Sequence, residues 1–214
     1  MLGPWRSHNT TETRIGFTDG SQPNRQLHRS ALYRKITIVG NGYSGKTSIV
    51  AKYASLYYPT KDINPTQPCT IEIPTYADGR LLELRIWDVH GGEFSRLTPL
   101  AYPNAHVILI IFAVNCLDSL DNVEEKWYPE VTHFCGNIHI VLVGNKIDLR
   151  TDTCSKSEFV SFEVGECVAR HIGADYVECS AVTGSGIQAV FDMAAKRAME
   201  SQKVAQRHKR CVIV

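Results

Sequence analysis

Eight consecutive residues, Gly40-Asn41-Gly42-Tyr43-Ser44-Gly45-Lys46-Thr47, combine regularly placed glycines with a lysine and a hydroxyl. An apolar run, Ile36-Thr37-Ile38-Val39, precedes them, and a helical pattern begins at Ser48. Strand, glycine-rich loop and helix in that order make a cradle for a polyphosphate. Glycine permits a close approach that a Cβ would obstruct, so successive N–H groups and the positive end of the helix face the anion. In such a loop Lys46 reaches the β- and γ-phosphates and the Thr47 hydroxyl holds Mg²⁺. A chance glycine-rich turn would lack both flanks.

A second group, Asn145-Lys146-Ile147-Asp148, directly follows the apolar run Ile138–Gly144. A carboxylate placed there accepts hydrogen bonds from the N1–H and exocyclic amine of guanine, which adenine does not supply, and a site built for those donors discriminates strongly. Alone, four residues of this kind are a weak pattern. At a strand end, downstream of a phosphate loop, they are a strong one. Ser180-Ala181, after the last short strand, completes the set.

The elements that must carry these groups follow from periodicity. Ile36–Val39 reads as the first strand and Thr47 to Leu56 as the first helix. Thr70–Tyr76 and Leu81–Trp87 flank Asp78-Gly79, a hairpin signal. Ala105–Val114 is continuously apolar, as in a buried strand of a mainly parallel sheet. Leu117–Phe134 reads as a helix that Pro129 would end or bend. Ile138–Gly144, a helix from Val164 to Ile172, the strand Asp175–Cys179 and a final helix Ile187–Gln206 complete the order. Alternating strands and helices predict an α/β domain, a six-stranded, mostly parallel sheet with helices on both faces, and ligand loops at the strands' C-terminal ends.

The chain has 214 residues, enough for one domain with tails, and a net charge of +1, which argues against general nucleic-acid binding. Its seven cysteines are scattered without C-x-x-C pairs, as expected of reduced thiols in a cytosolic protein. Cys167 and His171 stand four apart, a spacing that would serve a metal, but no second pair accompanies them and helix packing is the expectation. No apolar run approaches a membrane span, and residues 1–32 lack a secretory h-region. Those polar residues are expected to be a disordered extension, either passive or a partner-binding arm. Residues 33–200 would form the nucleotide-binding domain and 201–214 a basic tail.

With these motifs in place, residues 33–214 resemble the Ras-like small GTPases, and specifically the Rho family, with greatest likeness to a fungal septation-type Rho. The resemblance rests on Gly40–Thr47, Trp87-Asp88, Arg96-Leu97, Pro99-Leu100, Tyr102-Pro103, Lys126-Trp127-Tyr128-Pro129-Glu130-Val131, His133-Phe134-Cys135, Val143–Arg150, Glu178-Cys179-Ser180-Ala181 and Cys211-Val212-Ile213-Val214. It implies a GTP/GDP-binding switch that hydrolyses GTP with Mg²⁺. Residues Gly40–Ser48 would line the phosphates, with Lys46 a catalytic cation. Thr66 would bind Mg²⁺ beside Thr47 and also the γ-phosphate, Asp88 would act on Mg²⁺ through water, and the Gly91 N–H would contact the γ-phosphate. Tyr58 would lie against the guanine, with Tyr57 its rival. Asn145, Lys146 and Asp148 would frame the base, together with Ser180, Ala181 and Val182.

Several positions depart from the family pattern. Where Rho proteins read Trp-Asp-Thr-Ala-Gly-Gln-Glu, this chain reads Trp87-Asp88-Val89-His90-Gly91-Gly92-Glu93, and the interval to Arg96 is one residue shorter. Gly92 occupies the place of the glutamine that orients the attacking water, so slow intrinsic hydrolysis is expected, unless His90 or Glu93 substitutes by holding the water within hydrogen-bond reach. The first switch segment is one residue longer between Pro59 and Thr66, lacks the phosphate-covering tyrosine, and continues Gln67-Pro68-Cys69-Thr70-Ile71 in place of the effector-reading aromatic and acidic residues. Tyr43 replaces a small residue and either points outward or crowds the γ-phosphate or an incoming arginine finger. Val182 replaces a lysine that usually helps hold the base, and the Rho-type insert between Arg150 and Gly165 is shorter by about seven residues.

Cys211-Val212-Ile213-Val214 has the C-a-a-X form, implying prenylation of Cys211, with the terminal valine leaning to geranylgeranyl. One lipid needs a second signal. Lys203, Arg207, Lys209 and Arg210 supply it, each contributing about 1 kcal/mol near an anionic leaflet. The reading is a membrane-attached switch in polarity, actin or cell-wall signalling, with exchange factor and effector partners, an activating protein and a dissociation inhibitor. It would work on the cytoplasmic face of the plasma membrane or an endomembrane, with a cytosolic pool. The alternative is a hydrolysis-deficient, constitutively GTP-bound interaction module.

Overall fold

The structure is a computed structural model that describes residues 32–57, 69–89, 98–151 and 159–210. Tyr58, Thr66, His90, Gly91, Gly92, Glu93 and Cys211, the extension before Leu32 and residues 152–158 of the shortened insert lie outside the described residues. Six strands form one sheet: β1 (Leu32–Gly40), β2 (Cys69–Ala77), β3 (Arg80–Asp88), β4 (Val107–Ala113), β5 (His139–Asn145) and β6 (Asp175–Glu178). Their order is β2-β3-β1-β4-β5-β6, and every neighbouring pair is parallel except β2 with β3. This is the expected α/β architecture. The Asp78-Gly79 turn joins the antiparallel pair with positive φ at both residues, 50° and 71°, as a two-residue hairpin requires.

All seven residues of β4 are buried. Because strand side chains alternate, the strand feeds two cores. Val107, Leu109 and Ile111 join Ile36, Ile38 and Ile86 under α1 (Lys46–Tyr57) and α5 (Ile187–Arg210), where Tyr53 and Phe191 stack at 3.8 Å. Ile108, Ile110 and Phe112 join Trp127, Val131, Ala169 and Ile172 on the opposite face. That second layer is built by α2 (Leu117–Asn122), α3 (Tyr128–Cys135) and α4 (Phe162–His171). Ser161 caps α4, its Oγ accepting from the Val164 N–H.

Pro129 does not end the helix begun at Leu117. Five residues, Val123–Trp127, form a π-helical turn between α2 and α3, and the Tyr128 N–H bonds to the Val123 carbonyl. The wider turn sits just ahead of the proline, which has no N–H to offer. Val123, Trp127 and Val131 all remain buried at four-residue spacing. In an unbroken α-helix each such step would drift about 40° round the axis. At the other end of the chain α5 passes through residue 200 and runs to Arg210, so the basic stretch 203–210 is helical backbone.

Sheet register fixes what lies at the functional edge. Ile38 is level with Asp88 and Leu109, Gly40 with Ile111, Ala113 with Asn145, and Gly144 with Glu178. The loop after Gly40, Asp88, Asn145 and the segment after Glu178 therefore emerge together from the C-terminal ends of the strands, where open α/β sheets bind ligands.

Candidate nucleotide site

The loop Asn41–Gly45 connects β1 to α1. Two glycines are there for close approach: a Cβ on Gly40 would stand 2.1 Å from the Ile111 carbonyl oxygen, and one on Gly45 would stand 2.3 Å from Asn145 Nδ2. Gly45 also has φ near 90°, a region that side-chain-bearing residues avoid. Tyr43 adopts φ 61° without being glycine, and its ring is 98% exposed, so of the two orientations considered it takes the outward one. Ser44 is fully buried, and its carbonyl accepts from Asn145 Nδ2 at 2.9 Å.

Lys46 opens α1 and is buried beneath the loop, where Nζ donates to the Gly40 carbonyl at 2.9 Å and the Asn41 carbonyl at 2.7 Å. Burial lowers its pKa to about 8, against the pull of the Asp88 carboxylate. A buried ammonium whose described hydrogen-bond partners are neutral carbonyls is suited to an anionic ligand. Beside it, the Thr47 hydroxyl donates to Asp88 Oδ2 from the end of β3. A hydroxyl and a carboxylate oxygen in contact are the hard donors that Mg²⁺ selects, so these residues fit the ion. No cluster of three or more His, Cys, Asp or Glu suited to a metal occurs among the described residues, and Cys167 and His171 are both exposed. His171 pairs with Glu124 Oε1 at 2.6 Å.

Residues Asn145–Asp148 and Ser180-Ala181 come from two strand ends. Asn145 closes β5, and Lys146, at φ 70°, turns the chain into a short 3₁₀ segment, Ile147–Thr151. Asn145 is buried, and its two amide ends face different loops: Nδ2 holds Ser44, while Oδ1 accepts from the Ala181 N–H at 3.3 Å and from the Cys179 thiol at 3.7 Å. Ser180 Oγ donates to Asp148 Oδ1 at 2.5 Å. Val182 is 77% exposed and makes no equivalent of the lysine it replaces. The loop Asn41–Gly45, Lys46, the Thr47–Asp88 pair and the segments of Asp148 and Ser180 thus converge, and Asn145 ties the loop to Ala181.

Two parts of this arrangement carried no assigned role in the sequence. Trp127 Nε1 donates to Asn41 Oδ1 at 2.7 Å, reaching the phosphate loop from the π-turn. Arg150 forms a two-pronged ion pair with Glu178 at 2.6 and 2.7 Å, and Tyr176 also donates to Glu178 at 2.7 Å. The first had a legible signal, since a buried tryptophan usually finds an acceptor for its N–H. The second had none in local pattern.

A Ras family profile matches residues 35–200. Among curated proteins, the chain is similar to the GTP-binding protein rho5 of Schizosaccharomyces pombe, 41% identical over 197 residues, covering 86% of this chain and 98% of that one. The GTP-binding protein RHO1 of Candida albicans is 42% identical over 192 residues, covering 86% and 96%. The GTP-binding protein rho1 of S. pombe is 42% identical over 199 residues, covering 86% and 98%. The chain belongs to the Ras family of small GTPases and, within it, to the Rho type, enzymes that bind GTP or GDP with Mg²⁺ and hydrolyse GTP.

Proposed function

We propose that this GTPase is a membrane-attached switch with weak intrinsic hydrolysis, in which binding and turnover have been separated. The observation that supports retained binding is the convergence of Lys46, the Thr47–Asp88 pair and the Asn145–Ser44 bond at one edge of the sheet. In this reading Lys46 holds the β- and γ-phosphates, and Asp148, steadied by Ser180, accepts from the guanine N1–H and amine. Mg²⁺, when bound, neutralises charge that develops on the phosphate oxygens. Thr47 and Thr66 would hold the ion, and Asp88 would act on it through water. The Gly91 N–H would contact the γ-phosphate.

Turnover needs a water held in line with the γ-phosphate, and Gly92 brings no side chain to hold it. Single-turnover hydrolysis of the GTP-loaded protein, set beside S. pombe rho1 under identical conditions, tests this directly. The natural chain should be slower, and Gly92→Gln should accelerate it about tenfold or more. A natural rate equal to that of the rho1 control overturns the reading of Gly92.

Attachment is proposed through prenylation of Cys211, with the basic residues at 203, 207, 209 and 210 giving the second signal. Among the described residues no helix is long and apolar enough to cross a membrane. Cys211→Ser should move the protein from the membrane pellet to the cytosolic fraction; an unchanged distribution refutes lipidation. Partners of the class are an exchange factor, effectors, an activating protein and a dissociation inhibitor. The altered segment Gln67–Ile71 points to effectors that read a less acidic, less aromatic surface, in signalling to polarity, actin or cell wall.

A further inference from the structure

We infer that Trp127 is a positioning residue of the phosphate loop, holding Asn41 through its indole N–H so that the Asn41 carbonyl keeps Lys46 in place. The chain of contacts is continuous. Trp127 Nε1 donates to Asn41 Oδ1 at 2.7 Å, and Lys46 Nζ donates to the Asn41 carbonyl at 2.7 Å. The Ser44 N–H also closes on that carbonyl at 3.4 Å, so one residue anchors both the start of the loop and its lysine.

The placement of Trp127 is built rather than incidental. Trp127 is 1% exposed and belongs to the second core together with Val39, Ile110 and Val131, so its ring is held within a packed layer. It closes the π-turn Val123–Trp127, the one place where this helix departs from α-geometry, and such insertions cluster at functional positions. The turn widens the helix where the tryptophan must serve two ends at once, its ring in the core and its N–H at the loop. Lys126, the preceding residue, lies 4.4 Å from the centre of the same ring. An amide side chain on Asn41 alone would rotate between solvent and loop; the indole removes that freedom.

The inference rests on the loop being the phosphate site, and its test keeps the two apart. Dissociation of a fluorescent N-methylanthraniloyl GDP is timed for the natural protein, Trp127→Phe, Asn41→Ala, Asn41→Asp and the Trp127→Phe/Asn41→Ala double variant. Phenylalanine keeps the apolar ring and lacks the N–H, so release should quicken about tenfold, the effect of losing one part-buried hydrogen bond. Asn41→Ala should do the same, Asn41→Asp should quicken release less than Asn41→Ala because an acceptor oxygen remains, and the double variant should add little to either single change. The ratio of GDP to IDP affinity should be unchanged in all of them, since IDP lacks only the exocyclic amine read by Asp148. Unchanged release in Trp127→Phe, additive effects in the double variant, or a collapsed GDP/IDP ratio each overturn the positioning role. If Trp127→Phe does not fold, the contrast between Asn41→Ala and Asn41→Asp decides alone. Absence of GDP binding by the natural protein would instead refute the site.

Discussion

Arg150 and Glu178 meet face to face, with Nη1 to Oε2 at 2.6 Å and Nη2 to Oε1 at 2.7 Å, one residue in the 3₁₀ segment that carries Asp148 and the other two positions before Ser180. The pair therefore joins the two segments whose side chains meet as Asp148 and Ser180. Its side chains are 24% and 12% exposed, so solvent weakens the pair less than it would at the surface. Replacing Glu178 by Gln leaves the guanidinium without its carboxylate and should cost about 2 kcal/mol, a fall of about 4–8 °C in Tm. Arg150→Lys should cost nearly as much, because a lysine cannot make both parallel bonds. Melting curves of the GDP-loaded variants check this, and a Tm within a degree or so of the natural protein refutes it.

Gly165 on α4 illustrates a tighter constraint from the same network. A Cβ there would lie 2.1 Å from the Tyr176 hydroxyl and 2.4 Å from ring atom Cζ. Gly165→Ala must displace the Tyr176 ring or push α4 away from β6 and should destabilise by about 2 kcal/mol, in the range for overpacking a core. Removing the hydroxyl with Tyr176→Phe should not rescue it, because Cζ remains too close. Tyr176→Leu in the Gly165→Ala background should recover part of the loss. Rescue by phenylalanine would show that the ring is free to move.

Much of this was legible in the sequence, for reasons that differ by element. β4 announced itself because a strand buried on both faces has no polar position to spare, and the β2–β3 hairpin because Asp-Gly suits two successive positive φ angles. The phosphate loop and Asn145–Asp148 were readable because each is contiguous and directly follows a strand. The outward set of Tyr43 was not, since it depends on a backbone φ that tyrosine rarely adopts. Nor was the π-turn: Pro129 signalled a disturbance, but whether a helix stops, bends or widens depends on what Trp127 must reach. The Arg150–Glu178 pair joins residues 28 apart on separate elements, and neither composition nor periodicity encodes that choice.

His106 gives the domain a dependence on pH. It precedes β4, and its Nδ1 accepts the Lys35 N–H at 3.1 Å, which the neutral ring alone can do. Burial first, and the Arg34 charge second, hold its pKa below the ordinary 6.5. The unfolded chain therefore takes up this proton before the folded one does, so the associated stability is complete above pH 6.5 and is lost as pH falls towards the folded value. In His106→Asn the side-chain oxygen can accept the same N–H without titrating. Between about pH 7.5 and 5.5 the Tm of the natural protein should fall more than that of the variant. Parallel curves would remove His106 as the cause.

Asp148 is proposed to set which base the protein accepts. Its carboxylate offers only acceptors, which match the N1–H and amine of guanine, and Ser180 Oγ fixes its Oδ1 at 2.5 Å. Asp148→Asn presents an N–H towards the amine position, leaving two donors opposed. Loss of two charge-assisted bonds should weaken GDP by about 10²–10⁴-fold. Xanthine carries a carbonyl where guanine has its amine, so the same variant should gain affinity for XDP. Ser180→Ala, which loosens the carboxylate without changing its chemistry, should weaken GDP about tenfold and leave the preference for GDP over XDP intact. Titration of both nucleotides against the three proteins separates these outcomes. If Asp148→Asn kept its preference for GDP, the base would be read by some other group, and the contact between Ser180 and Asp148 would be a matter of loop stability alone.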